Sequence, residues 1–131
     1  MDKQFNILLD KQYKILLIDD SEEIRELLRF VFEAKGFEVE ESNDGADAIS
    51  KPLETFDAIL LDLQMPNMDG KQFLSVLRKN KNLTVPVVMF TNHEKKGLES
   101  ELLAAGANKV LMKPARAELL IQEVLDVIEN K

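Results

Sequence analysis

Cysteine is absent from the 131 residues, and histidine and tyrosine occur once each. Without cysteine there is neither a disulfide framework nor a thiolate metal site, so a buried core must carry the fold. Excess positive charge is also missing. Twenty-four acidic residues against 17 basic ones leave a formal charge of −7, a field that repels phosphate backbones and argues against autonomous nucleic-acid binding. Long apolar runs are missing too. The run 5–9 is too short to span a membrane and does not follow a basic start, so the cytoplasm is the expected compartment and no membrane partner is expected. No internal repeat or low-complexity segment interrupts the chain. What remains is 45% hydrophobic residues, enough for a core of one compact domain.

Short apolar runs alternate with amphipathic stretches. Strands are predicted at Lys14–Ile18, 37–41, Ala58–Leu61, 85–90 and Lys109–Met112. Ile15-Leu16-Leu17-Ile18, Ala58-Ile59-Leu60-Leu61 and Val87-Val88-Met89-Phe90 are continuously apolar, as strands buried on both faces of a parallel sheet are. Between them, Ile24, Leu27, Leu28, Val31 and Phe32 follow one helical face up to Gly36. Phe73, Val76 and Leu77 mark a further helix, and Leu98, Leu102 and Ala105 another, closed by Gly106. The last runs over 116–129 with Ile121, Val124, Leu125 and Ile128 inward, and a short one over 46–50 stops at Pro52. Strand and helix alternate five times, which predicts an α/β fold: a doubly wound parallel sheet in the flavodoxin-like order 2-1-3-4-5, with helices on both faces. Residues 1–12 read as an N-terminal extension and 13–131 as the domain.

That order creates a crevice at the C-terminal ends of the first and third strands, where open α/β sheets bind ligands. Strand 1 runs into Asp19-Asp20, strand 3 into Asp62, strand 4 into Thr91 and strand 5 into Lys113-Pro114. Singly, each is an ordinary strand-end or cap residue. Together they put three carboxylates, a hydroxyl and an ammonium on one rim. Carboxylates so close repel unless a proton or cation intervenes, and hard oxygens without sulfur or imidazole favour Mg²⁺. A carboxylate can attack phosphorus to form an aspartyl phosphate. Asp62 is the expected acceptor because it lies between the acidic pair and the Thr91 and Lys113 ends.

Ile18-Asp19-Asp20-Ser21, the run from Leu61 to Gly70, Phe90-Thr91, Gly106-Ala107 and Met112-Lys113-Pro114 together resemble the receiver domains of two-component response regulators. The resemblance extends from Lys14 to about Glu129. It implies that Asp62 is the phosphoacceptor and that Thr91 and Lys113 sense the phosphoryl oxygens. It also implies Mg²⁺ on Asp20 and Asp62, on Asp19 directly or through water, and on the backbone carbonyl of Gln64. A cis Lys113–Pro114 bond is implied as well. The implied partners are a histidine kinase or histidine phosphotransfer protein, docking on the first helix (24–35), and a protein effector reading the fourth helix, fifth strand and fifth helix (94–129).

Two positions depart from the family's pattern. Val110 stands where an aromatic switch residue is usual, and Asn92 where a smaller residue is preferred. Gln64 and His93 occupy positions that tune phosphoryl lifetime in such domains, although a lone loop histidine is more often simply exposed. The chain reads as a stand-alone receiver or as one cut from a longer regulator or hybrid kinase, and its acidic last helix favours the first. It is expected to catalyse only its own phosphorylation and dephosphorylation. A Mg²⁺-dependent aspartyl-phosphate phosphohydrolase is disfavoured by Gln64 at the usual acid–base position. A degenerate, phosphorylation-independent binding module is disfavoured by the complete set of site residues.

Overall fold

The computed structural model describes residues 12–93 and 95–130; the run 5–9, and all but the last residue of the extension, lie outside them. The elements are β1 (Lys14–Ile18), α1 (Glu22–Ala34), β2 (Glu38–Ser42), α2 (Gly45–Ile49), β3 (Ala58–Leu61), α3 (Gly70–Ser75), β4 (Val87–Thr91), α4 (Leu98–Ala104), β5 (Lys109–Met112) and α5 (Ala117–Glu129). The five strands are parallel in the order β2-β1-β3-β4-β5, the predicted flavodoxin-like arrangement.

Two cores sandwich the sheet, because successive strand side chains point to opposite faces. Leu16, Ile18, Ile59 and Leu61 pack with Ala48 of α2, Phe73 and Leu74 of α3, and Leu98 and Leu102 of α4. Ile15, Leu17, Leu60 and Val88 pack with Leu28 and Phe32 of α1 and with Leu120, Ile121 and Val124 of α5. Both faces are thus covered, which explains the apolar runs of the inner strands. Among the described residues no helix is long and apolar enough to cross a membrane.

Several predicted bounds shift for local reasons. Strand 2 starts at Glu38 rather than Phe37, because the Phe37 amide donates to the Phe32 carbonyl at 3.1 Å and so closes α1, leaving Glu38 to pair with Tyr13. Strand 4 starts at Val87, since Pro86 has no amide to donate, and extends to Thr91. The helix after Asp69 is α-helical for one and a half turns and then widens into a π-helical stretch, Val76–Asn80, in which the Lys81 amide reaches the Val76 carbonyl at 2.9 Å. Leu27, on the apolar helical face of α1, is 58% exposed, because the sheet covers a narrower stripe than the apolar periodicity spans. In α5 Ile121, Val124 and Ile128 are buried as expected, Leu120 and Val127 join them, and Leu125 is only partly covered.

The register sets the site. Ile18 lies opposite Leu61, and Leu61 opposite Met89. The next residues, Asp19 and Asp62, therefore leave the sheet side by side. The Asp62 amide still donates to the Ile18 carbonyl at 2.9 Å, and the Lys113 amide to the Thr91 carbonyl at 2.9 Å.

Candidate functional site: an acidic crevice at the carboxyl edge of the sheet

Asp19, Asp62 and Thr91 are buried at 5%, 7% and 0% exposure, whereas Asp20 is exposed at the rim. The three aspartates each offer a carboxylate oxygen within 4.8 Å of the others. Lys113 enters from the β5 side, its Nζ 2.7 Å from Asp19 Oδ2 and 3.8 Å from Asp62 Oδ1. The Lys113–Pro114 bond is cis, as the resemblance implied.

Asp62 is held by its own loop. Its Oδ1 accepts the Leu63 amide at 2.9 Å. The Leu63 carbonyl in turn accepts the Gly70 amide at 2.7 Å, which folds the loop back under Asp62. A Cβ on Gly70 would lie 2.5 Å from the Asp62 backbone oxygen, so only glycine permits this approach. Asp69 then opens α3 with a capping box: its side chain accepts the Gln72 amide, and the Gln72 side chain accepts the Asp69 amide. Gln64, whose carbonyl was named as a metal ligand, sits in this loop with its side chain exposed.

The electrostatics follow from this packing. Burial pushes the Asp62 carboxyl up to about 6, repulsion from Asp19 adds to it, and Lys113 and the Leu63 amide offset only part. Three carboxylates against one ammonium leave local negative charge. The donor set is all carboxylate oxygen. Such a crevice fits a hard divalent cation.

The β4–α4 side completes the rim. The Thr91 hydroxyl accepts the His93 amide at 3.1 Å, and the Gln64 side chain meets the His93 ring, Nε2 to Nδ1, at 3.3 Å across the mouth. Asn92 is exposed. Val110 is half-buried against the α4-side core. The structure brings Asp19, Asp20, Asp62 and Lys113 together, with Thr91 at the end of the neighbouring strand β4. Sequence reasoning missed Arg25, whose guanidinium donates to the Asp19 carbonyl at 2.6 Å, and the Gln64–His93 contact. Both depend on cross-element proximity that no spacing encodes.

Comparison with known proteins agrees with this geometry. The family described as "Response regulator receiver domain" matches residues 15–125. The chain is 36% identical over 117 residues to the transcriptional regulatory protein CpxR homolog of Haemophilus influenzae, covering 89% of this chain and 51% of that protein. It is 36% identical over 102 residues to the transcriptional regulatory protein ResD of Bacillus subtilis, covering 77% of this chain and 42% of that one. The chain thus spans about half the length, or less, of these relatives. Among solved structures, the chemotaxis protein CheY4 of Vibrio cholerae superposes with a TM-score of 0.81 at 32% identity, covering 89% of this chain and 99% of that one. The Francisella response regulator 1452 receiver domain superposes at 0.82 with 27% identity, covering 91% and 98%. This chain belongs to the response regulator receiver domain family of two-component systems.

Proposed function

We propose that the chain is a phosphoacceptor, taking a phosphoryl group from a histidine kinase or histidine phosphotransfer protein onto Asp62. The observation that carries this reading is the setting of Asp62, a buried carboxylate at a strand end with Asp19 beside it and Lys113 only partly compensating it. In the transfer an Asp62 oxygen forms a bond to phosphorus while the bond from phosphorus to the donor's imidazole nitrogen breaks, its electron pair remaining on the nitrogen. Mg²⁺, when held by Asp19, Asp20, Asp62 and the Gln64 carbonyl, supplies positive charge against the phosphoryl oxygens. Lys113 contributes from the opposite side. The chain acts on its own aspartate rather than turning over a separate substrate, in the cytoplasm.

The phosphoryl group brings about −1.5 to −2 charges and three acceptor oxygens. In this reading the Thr91 hydroxyl donates to them, and turning toward them releases the His93 amide it now accepts. That exchange biases the β4–α4 loop and α4 between two arrangements. The readout surface is α4, β5 and α5, presented to a protein effector. With Val110 in place of a ring, the loop rather than an aromatic side chain carries the signal. The donor docks on α1, where Ile24, Leu27, Leu28 and Val31 line an apolar groove of about 220 Å³ against Pro114, Ala115 and Leu120.

Borohydride reduction after incubation with Mg²⁺ and a small acyl phosphate tests the acceptor. It converts an aspartyl phosphate to homoserine. Peptide mapping is expected to find homoserine at position 62 alone; homoserine at another aspartate, or at none, contradicts the reading.

A further inference from the structure

We infer that Arg25 is a positioning residue for the acidic pair, pinning the Asp19–Asp20 peptide so that both carboxylates face the crevice. This rests on the proposed Mg²⁺ site. Arg25 lies on the second turn of α1, and its side chain is 14% exposed. Its Nη1 donates to the Asp19 carbonyl at 2.6 Å while its Nε donates to Glu41 Oε1 of β2 at 2.9 Å. Glu41 is held in turn by Arg29, which also pairs with Glu33. Burial raises the Glu41 carboxyl, but its bonds to Arg29 and Arg25 more than offset this and hold it below the usual range.

The consequence lies in what Arg25 completes. The Asp19 amide donates to the Ser42 carbonyl at 3.2 Å, its Oδ1 accepts the Ser21 amide at 2.9 Å, and its Oδ2 accepts Lys113 at 2.7 Å. The carbonyl is the remaining polar group, and its peptide plane is the one that leads directly into Asp20. Fixing that plane fixes the direction in which the exposed Asp20 leaves the chain. The fork geometry matters, since two donors on different guanidinium nitrogens span Asp19 and Glu41 at once, and a lysine ammonium reaches only one. Groups that orient metal ligands without touching the metal commonly matter as much as this to affinity.

Electrostatics alone argues for the opposite effect, which makes the test signed. A guanidinium beside the acidic pair repels a bound cation, so deleting it without loss of positioning tightens Mg²⁺ binding. Positioning demands that deletion weaken it. The experiment is isothermal titration of Mg²⁺ alone, without phosphodonor, into wild type, Arg25→Ala, Arg25→Lys and Glu41→Gln, each checked for folding by circular dichroism. Arg25→Ala is expected to bind about tenfold more weakly, with Arg25→Lys and Glu41→Gln weakened less. A folded Arg25→Ala that binds as tightly as wild type, or more tightly, overturns the inference, as does full rescue by lysine. Should Arg25→Ala fail to fold, the other two variants decide it by the same criterion. A wild type that binds no Mg²⁺ sinks the metal reading and this inference with it, whereas a wild type that binds beside an unaffected variant sinks only this one.

Discussion

Lys113 pairs more closely with Asp19 than with Asp62: its Nζ stands 2.7 Å from the first carboxylate and 3.8 Å from the second. The central aspartate is therefore the under-compensated member of the cluster. Burial first, and then repulsion from Asp19, raise its carboxyl, and Lys113 at the longer distance offsets only part. A site built this way holds its reactive carboxylate at a cost to stability and in readiness for positive charge.

That cost has a pH signature. The Asp62 carboxyl lies at about 6 in the folded chain against an ordinary value of 3.8, so the folded state holds its proton more tightly than the unfolded state does. The stability tied to that proton is fully present below about pH 4 and is lost as pH rises through 6. Asp62→Asn, which carries no charge at any pH, is then expected to be more stable than wild type by about 2–3 kcal/mol at pH 8 in the absence of divalent cations. The gap should close toward pH 4. Urea unfolding at pH 4, 6 and 8 checks this, and a difference independent of pH contradicts it.

Arg78 is a second point of leverage. Its guanidinium donates to the carbonyls of Gly106, Leu83 and Val85 and to the Asn108 side chain, which ties the π-helical stretch to the starts of β4 and β5. Removing it leaves several partly buried acceptors without a donor. Arg78→Ala is expected to cost about 3 kcal/mol in denaturant unfolding, with Arg78→Lys restoring only part. A loss within about 0.5 kcal/mol, the range of an ordinary surface substitution, contradicts the staple.

Leu27 and Phe30 are 58% and 73% exposed on α1. Their truncation to alanine should change stability by no more than about 0.5 kcal/mol. If α1 receives the phosphodonor, the double variant is expected to be phosphorylated by a small acyl phosphate at the wild-type rate. Transfer from a phosphohistidine protein should slow by tenfold or more, on the order of a lost interface anchor. Equal slowing with both donors contradicts docking on this face.

How much of this was legible in the sequence depends on the range of the interaction. The inner strands were readable because burial on both faces makes Ile15–Ile18 and Ala58–Leu61 continuously apolar, and the sheet order followed from strand and helix alternation. The crevice was readable because Asp19, Asp62 and Lys113 directly follow a strand and Thr91 ends one, so one register sets them along the same edge. Boundaries failed where a backbone bond outranked side-chain pattern, as at Phe37, whose amide closes α1. The π-helical stretch was not legible because a local widening of backbone hydrogen bonds leaves no mark on periodicity. Leu27 failed because amphipathic spacing reports an apolar stripe and not how much of it a neighbour covers. Arg25 was invisible because its guanidinium is held by Glu41, sixteen residues away on another element.

Intact-protein mass spectrometry after incubation with a small acyl phosphate, with and without Mg²⁺, on wild type and Asp62→Asn, decides whether Asp62 is the acceptor. The expected result is one phosphoryl adduct on wild type that requires Mg²⁺ and is absent from the variant. An unmodified wild type that nonetheless binds Mg²⁺, or an adduct of equal yield on Asp62→Asn, contradicts Asp62 as the acceptor.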